Sequence, residues 1–290
     1  MTQDLVWLEP KTPHEIVDEA INKYNIDSLY VLYSGGMDSN CVADFISTNY
    51  PKYFKGCVFT VTGIGAAQTR KFVIKYCKER NWPLFFTWPK NEHNYYNFVM
   101  RDGFPSPPYH RKVMAYLKYH TWWRFCKEAH SKGEKMAFIS GVRKKESWAR
   151  DKRRLYTKSP TDKDGKLIFI KPFLYKNGTQ LYQYFAKHDL QKSPVYEWFD
   201  KSGECYCGSF AQEWELKMLE KFDPLAFESI KWLEKQVRLK GSKKAQKHPT
   251  WGGGFTTALD VEAQNTLDTF FTDMPTVNED YCGESCDTGQ

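Results

Sequence analysis

The sequence predicts an α/β fold: a mainly parallel sheet with helices on both faces, followed by a helical, cysteine-bearing C-terminal extension. Two observations predict it. Short apolar runs rich in β-branched and aromatic residues recur through the first half of the chain, and a stretch of helical periodicity follows most of them. Strands separated by helices of this length are joined by right-handed crossovers and run parallel. The 290 residues, of which 41% are hydrophobic, suffice for such a core.

The elements are expected to alternate along the chain. After a helical lead-in, the predicted strands are LYVLY at 29–33, KGCVFTVT at 55–62, PLFFTW at 83–88 and MAFISGV at 136–142. Helices are predicted over 38–46, 67–80 and 112–130. Ligands of such sheets bind where the carboxyl ends of the strands meet. We therefore expect residues 34–39, 62–65 and 141–150 to surround one crevice.

Other stretches have weaker patterns. Residues 91–109 lack clear periodicity and are expected to form a surface or lid loop, and the charged residues 152–165 a mobile basic excursion. Residues 211–237 have helical periodicity, and a last helix is predicted from Asp260 to Phe271. We divide the chain into a helical lead-in (1–26), a main α/β domain (27–210) and a helical extension with a cysteine-containing tail (211–290).

The turn after the first strand has the pattern of a phosphate-binding loop. It reads SGGMDS, with candidate ligands Ser34, Gly35, Gly36, Asp38 and Ser39. Free N–H groups and a partial positive charge at the following helix N-terminus favour an anion, and the glycines allow close approach of the backbone. The loop matches neither the Walker A sequence nor the dinucleotide fingerprint. An ordinary strand-to-helix turn is the alternative.

A second pattern follows the strand at 136–142. It reads Gly141-x-Arg143-x-x-Glu146-Ser147-x-x-Arg150. Two arginines and a serine on one turn can bind phosphate or sulfate, and Glu146 can orient an arginine by ion pairing. The alternative is a solvated basic face, which is the better interpretation for the neighbouring lysines and arginines.

These motifs resemble, in the same order, those of the phosphoadenylyl-sulfate (PAPS) reductase family. SGGMDS is similar to the SGGxDS pyrophosphate loop of the adenine nucleotide α-hydrolase superfamily, and GVRKKESWAR to the family's G-x-R-x-x-E-S-x-x-R motif. TVTGIGAAQT and residues 171–198 resemble two further segments. The resemblance covers about residues 27–210 and implies a Rossmann-like, adenine nucleotide α-hydrolase-like nucleotide-binding domain.

The resemblance also implies residue roles. The loop residues would hold the phosphate chain, Thr62 and Gly63 would lie by the adenosine, and Gly141 and Ser147 would complete the nucleotide site. The catalytic residues it implies are Asp38, Arg143, Glu146 and Arg150, with the arginines neutralising the anion. The chain departs from the family at two places: Val61 stands where its Asp is expected, and Thr179-Gln180-Leu181 stands where it has Thr-Asp/Val.

The cysteines bear on the type of reaction. In reductases of the family the nucleophile lies in an E-C-G-[IL]-H tail, whereas this chain ends EDYCGESCDTGQ, without the histidine. Cluster-bearing members have a Cys-Cys pair before an Arg-Lys dipeptide, and here Pro107-Pro108 precedes Arg111-Lys112. Cys205, Cys207, Cys282 and Cys286 are candidate ligands of an iron–sulfur cluster or a zinc ion. Four unrelated thiols are the alternative.

The other cysteines and two histidines are given lesser roles. Cys41, Cys57 and Cys77 are expected in the core, and Cys126 is a core residue or a substitute ligand. His110 and His188 are expected to be structural or surface residues.

The leading functional hypothesis, implied by the resemblance, is an ATP pyrophosphatase similar to those of DNA phosphorothioation systems. It would bind ATP with Mg²⁺, adenylate an acceptor and release pyrophosphate for sulfur transfer, with a sulfur-donor protein such as a cysteine desulfurase as a partner. One alternative is reduction of PAPS or adenylyl sulfate to sulfite. Another is a non-catalytic nucleotide- or nucleic-acid-binding protein, which the net charge of +7 also suits. With neither a signal peptide nor a membrane span recognised, we expect a cytoplasmic protein without membrane contact.

Overall fold

The protein is built on a six-stranded sheet in the order β3-β2-β1-β4-β6-β5. The computed structural model describes residues 11–144, 161–164 and 167–252. The strands are β1 (Ser28–Leu32), β2 (Phe54–Thr60), β3 (Leu84–Thr87), β4 (Met136–Ile139), β5 (Thr161–Asp164) and β6 (Leu167–Ile170). Five run parallel, and β5 pairs antiparallel with β6. The predicted parallel α/β fold is confirmed.

Nine α-helices are described. They are α1 (Pro13–Tyr24), α2 (Met37–Asn49), α3 (Ala67–Glu79), α4 (Tyr95–Asp102), α5 (His110–Met114), α6 (His120–Ser131), α7 (Gly178–Lys187), α8 (Glu213–Phe222) and α9 (Pro224–Lys240). A π-helical turn, Ala115–Tyr119, joins α5 to α6. None of these helices combines the length and apolarity needed to cross a bilayer.

The two sheet faces are covered by different helices because side chains alternate along each strand. Leu29 and Val31 of β1 belong to the core that α1, α2, α3 and α7 complete. Tyr30, between them, points into the opposite layer, where α6 contributes Cys126. Central strands buried on both faces explain the continuous apolar runs in the sequence.

A further apolar cluster lies beyond the sheet. Helices α4, α8 and α9 contribute Phe98, Leu219 and Leu233, and they pack against Ile64 and Tyr206. Helices α8 and α9 are separated at Asp223, whose side chain accepts a hydrogen bond from the N–H of Ala226, with Pro224 at the first helical position. The C-terminal helices therefore contact the loop that follows β2.

Two expectations are corrected here. Residues 91–109 are not a structureless loop, since α4 is capped by Asn94 and buries Tyr95, Phe98 and Val99 on one face. Part of the expected basic excursion, residues 161–164, is the edge strand β5. Backbone pairing with β6 supports this strand, whose sequence TDKD gives no apolar signal.

Candidate functional site

The loop between β1 and α2 has the geometry expected of an anion site. Gly35 adopts φ +71°, and Gly36 is the N-cap of α2. The N–H groups of Met37, Asp38 and Ser39 precede the first hydrogen bond of the helix, from the N–H of Asn40 to the carbonyl of Gly36 at 3.0 Å. They are therefore the donors that a phosphate group can use.

Side chains of the loop fix its shape. The Ser39 hydroxyl donates to the carbonyl of Gly36 at 2.9 Å and lies 3.2 Å from the Ser34 hydroxyl. The amide of Asn40 donates to the same carbonyl at 2.9 Å, and its oxygen accepts a hydrogen bond from the Tyr33 hydroxyl. These hydrogen bonds tie the loop to the first turn of α2.

Arg143 reaches this loop from the end of β4. Its side chain is 9% exposed, and its Nε donates to a carboxylate oxygen of Asp38, whose side chain is 27% exposed. Gly141 allows the approach, because a Cβ there would lie 3.0 Å from the carbonyl of Asp38. The structure therefore brings Asp38, Gly141 and Arg143 together with the loop. Glu146, Ser147 and Arg150 lie outside the described residues.

The segment after β2 is held by residues from much later in the chain. The Thr62 hydroxyl donates to the carbonyl of Glu204 at 3.1 Å, and the N–H of Ala66 donates to the carbonyl of Gly203 at 2.8 Å. A Cβ on Gly65 would lie 2.2 Å from the Glu204 oxygen, so only glycine fits. Gly63, at φ +77°, is exposed with open space beside it. Thr62 and Gly63 thus border the same edge of the sheet.

A strap of residues 193–206 crosses both loops. The N–H of Ser193 donates to the carbonyl of Gly35 at 2.9 Å, and the Ser193 hydroxyl lies 2.8 Å from that of Thr69. A Cβ on Gly36 would meet the Tyr196 hydroxyl at 2.8 Å. Sequence reasoning missed Ser193, Thr69 and Tyr196, because their contacts arise only after the strap folds back.

Cys205, near the end of the strap, lies together with Cys207, which follows it. The interaction with the Cys205 thiol lowers the pKa of Cys207 well below its usual range, and His110 and Ser209 act in the same direction against burial. The same interaction, followed by burial, raises the pKa of Cys205. Nδ1 of His110 is 3.9 Å from the Cys207 sulfur. Cys207 is therefore the more acidic thiol of the pair.

A buried ion pair adjoins the two thiols. Nζ of Lys118 lies 2.5 Å from a carboxylate oxygen of Glu204, and each side chain is 13% exposed. Burial lowers the pKa of Lys118, but Glu204 outweighs it and the net shift is upward. The ammonium group therefore remains charged next to the thiols. Lys118 and Glu204 were not predicted, since nothing in their local sequence marks them.

The predicted metal site is described only in part. Cys205 and Cys207 supply two adjacent thiols, while Cys282 and Cys286 lie outside the described residues. Within 11–144, 161–164 and 167–252, no group of three or more His, Cys, Asp or Glu side chains is placed to hold a metal ion. A complete ligand set would need residues from outside these ranges.

The remaining cysteines and His188 are structural. Cys41, Cys57, Cys77 and Cys126 are buried, as expected for core residues. His188 stacks on Tyr184 with ring centroids 4.0 Å apart, and its Nδ1 is 2.8 Å from a carboxylate oxygen of Asp44.

Comparison with protein families places residues 28–207 in one known domain, the phosphoadenosine phosphosulfate reductase domain. That match spans more than half of the chain and includes the loop, Arg143, the strap and the paired thiols. No match was found among curated proteins.

Solved structures with a similar arrangement include a PAPS reductase from Candida auris in a phosphate complex. It is 17% identical, with 67% of this chain and 86% of the reductase covered and a TM-score of 0.44. FMN adenylyltransferase from Candida glabrata with ATP is 13% identical, with 64% and 56% covered and a TM-score of 0.44. Yeast FAD synthetase with FAD is 11% identical, with 67% of each chain covered and a TM-score of 0.38.

Proposed function

The chain belongs to the phosphoadenosine phosphosulfate reductase domain family, and from this premise we propose that it is an ATP pyrophosphatase. It binds ATP with Mg²⁺, adenylates an acceptor and releases pyrophosphate, which prepares the acceptor for sulfur transfer. The observation that carries the proposal is the pairing of a helix N-terminus with Arg143 at one loop. This arrangement offers amide donors and a fixed cation to a phosphate chain.

The chemistry needs little from the protein beyond electrostatics. As the α–β phosphate bond breaks, negative charge builds on the departing pyrophosphate. We propose that this charge develops beside the first N–H groups of α2 and the guanidinium of Arg143, which the helix start and the Asp38 pair already hold in position. Because they do not reorganise during the step, they stabilise the transition state more than water would. Arg150 and Glu146 are proposed to add to this site.

Asp38 suits a Mg²⁺ ion shared with the nucleotide. Its carboxylate borders the loop and remains partly exposed, and Mg²⁺ prefers one or two carboxylates together with phosphate oxygens and water. When bound, the ion would neutralise phosphate charge. Asp38 also holds Arg143 in place. Its carboxylate therefore orients the guanidinium and offers an oxygen to the Mg²⁺ ion.

The reductase alternative keeps the same nucleotide site. It requires a nucleophilic cysteine, for which Cys282 is the tail candidate. The missing histidine after Cys282-Gly283 favours the pyrophosphatase. A nucleotide- or nucleic-acid-binding protein without catalysis is the third possibility.

The proposed partners follow from the reaction. A sulfur-donor protein such as a cysteine desulfurase supplies the sulfur, and a nucleic acid is the proposed acceptor. We propose that Cys205 and Cys207, completed by Cys282 and Cys286, hold an iron–sulfur cluster or zinc. The pyrophosphatase step itself does not pass through this group. The cytoplasm is the proposed location.

Calorimetry with anaerobically purified protein tests the proposal. We expect ATP with Mg²⁺ to bind more tightly than PAPS, and Arg143→Ala to weaken ATP binding at least tenfold. Lys144→Ala removes the same charge from the exposed neighbouring residue and should leave affinity within twofold. Pyrophosphate should form when an acceptor is present, and AMP should follow when a sulfur donor displaces it from the adenylated acceptor. Tighter binding of PAPS, with sulfite formed in the presence of thiols, would establish the reductase instead.

A further inference from the structure

Helix α9 has an apolar stripe on its exposed face. Leu225, Trp232 and Leu239 are 81%, 54% and 65% exposed. They are spaced by seven residues, or about two helical turns, and therefore lie in one line along the helix. Tyr96 of α4 extends the stripe, with its ring centroid 5.8 Å from that of Trp232. Three large side chains aligned on one exposed face are typical of a surface that binds another helix.

Basic side chains border this stripe. Lys231, Lys235, Arg238 and Lys240 are exposed on the same helix. The acidic Glu234 points inward, where it is 1% exposed and pairs with Lys231 at 2.6 Å. Glu228, nearer the start of the helix, is the exposed acid of α9. The C-terminal half of the stripe thus suits an occupant that is both apolar and acidic.

The last 38 residues of the chain have this chemistry. Residues 253–290 contain eight of the 35 acidic residues and none of the 42 lysines and arginines. Residues 1–252 consequently carry 27 acidic and 42 basic residues, a net charge of +15. Opposite charges on two parts of one chain raise the rate and specificity of their association.

The tail also has an apolar face. Apolar residues recur at helical spacing, and they are Leu259, Ala263, Leu267, Phe270 and Met274. Asp260 and Asp273 flank this face on either side when the residues are placed on a helical wheel. This pattern extends the helix predicted for residues 260–271 and gives it an apolar side with acidic margins.

The tail starts next to α9. The N–H of Trp251 donates to a carboxylate oxygen of Glu234 at 3.0 Å, and its indole donates to the carbonyl of Tyr206 at 2.7 Å. Nη2 of Arg238 donates to the Thr250 hydroxyl at 3.3 Å. A segment tethered this close has an effective concentration in the millimolar range, so even a weak interface is occupied.

We propose that residues 255–274 bind as an acidic amphipathic helix along the exposed face of α9 formed by Leu225, Trp232 and Leu239. The apolar face of the tail covers the stripe, and its carboxylates pair with Lys235 and Lys240. Docking anchors the part of the chain that bears Cys282 and Cys286 to the body of the protein. This inference does not depend on the proposed function.

Carbodiimide cross-linking of the full-length protein tests the docking. The reagent joins an ammonium group to a contacting carboxylate, and since residues 253–290 lack lysine, every link from them identifies a lysine of the body. We expect links from Asp260 and Asp273, at the margins of the apolar face, to Lys235 and Lys240. The links should fall at least fivefold in Trp232→Ser/Leu239→Ser. Tyr182→Ser, a change at an exposed aromatic residue of α7, is the matched control and should leave them unchanged.

Hydrogen exchange on the same proteins gives a second readout. Residues 259–274 should be protected in the wild type and in the Tyr182 control, and should lose protection in the double variant. Links to lysines elsewhere, or equal links and protection in all three proteins, would overturn the proposal. Links formed only between isotopically labelled and unlabelled copies would show that a second copy supplies the occupant. An absence of links, with oligonucleotide binding that requires Lys235 and Lys240, would assign the face to an external polyanion.

Discussion

Replacing Asp38 with Asn should strengthen the binding of metal-free ATP. The carboxylate of Asp38 pairs with the Nε of Arg143 and so offsets the positive charge that the phosphate chain needs. A bound nucleotide must therefore tolerate the negative charge of Asp38 beside that cation. The Asn side chain keeps the size and removes the charge, so an anion becomes the better partner for a nearly buried arginine.

The size of the effect follows from the charges and their exposure. Two unit charges about 4 Å apart interact by about 4 kcal/mol at an effective dielectric constant of about 20. Solvent reaches about a quarter of the Asp38 side chain, and the carbonyl of Asn retains part of the hydrogen bond, so most of this energy is not recovered. We expect a net gain of about 1.4 kcal/mol, which is about tenfold in Kd.

With Mg²⁺ present, the effect of Asp38→Asn on ATP affinity should have the opposite sign. If Asp38 contributes to the Mg²⁺ site, wild-type affinity for ATP rises when Mg²⁺ is added, whereas that of Asp38→Asn does not. Calorimetry with ATP in EDTA and then in excess Mg²⁺ measures both effects. Glu79→Gln is the control, since it removes one charge from an exposed residue near the end of α3 and should change neither affinity. Equal weakening of ATP binding by Asp38→Asn in both buffers would refute the reasoning.

Three stability predictions follow, each measured by urea unfolding. Gly65→Ala places a methyl group 2.2 Å from the carbonyl of Glu204 and should lower the free energy of unfolding by about 2–3 kcal/mol. The control Gly178→Ala, with open space around it, should change this free energy by no more than about 0.5 kcal/mol. Equal losses in the two variants would contradict the close approach at Gly65. Glu204→Gln leaves Lys118 as a buried cation without its carboxylate and should lower the free energy of unfolding by about 3 kcal/mol. The double variant Glu204→Gln/Lys118→Met should recover part of this stability. No recovery would contradict a charge effect. Burial raises the pKa of Asp102, but three basic side chains outweigh it and lower the pKa to about 2. The stability that Asp102 contributes is complete above its unfolded pKa of about 4 and should be lost as the pH falls toward 2. Between pH 5 and pH 3, Asp102→Asn should therefore lose less stability than the wild type. Identical slopes of unfolding free energy against pH in the two proteins would refute this.

The sequence could predict the strand, turn and helix start around Gly35 because their signals are local. An apolar strand, two glycines and a polar helix start lie within a dozen residues, and each has a direct backbone consequence, such as φ +71° at Gly35. Helix α4 was missed although Asn94 and Gly103 mark its ends. The surrounding Pro and Asn residues outweighed these two signals in the sequence pattern.

The environment of the paired thiols could not be predicted for a different reason. His110 and Lys118 come from the α5–π segment, and they meet Cys207 and Glu204 only after the strap has crossed the sheet edge. Tertiary folding sets these distances, and neither spacing nor composition encodes them in readable form. The Arg143–Asp38 pair was predicted only in part. The sequence motifs that contain the two residues were identified, but the direct contact between their side chains was not.

The strap has a consequence for the order in which the site is made. Thr62 and the carbonyl it bonds on Glu204 are 142 residues apart in the chain. A ribosome that adds about 5–20 residues per second needs on the order of 10 s to make that stretch. During this interval the loop between β1 and α2 has emerged without its cover, and Ile64, Ala66 and their neighbours lack Val195 and Tyr206, which later pack against them. We therefore expect the nascent chain to acquire nucleotide affinity only near the end of translation, as ribosome-bound chains arrested before and after residue 206 would show.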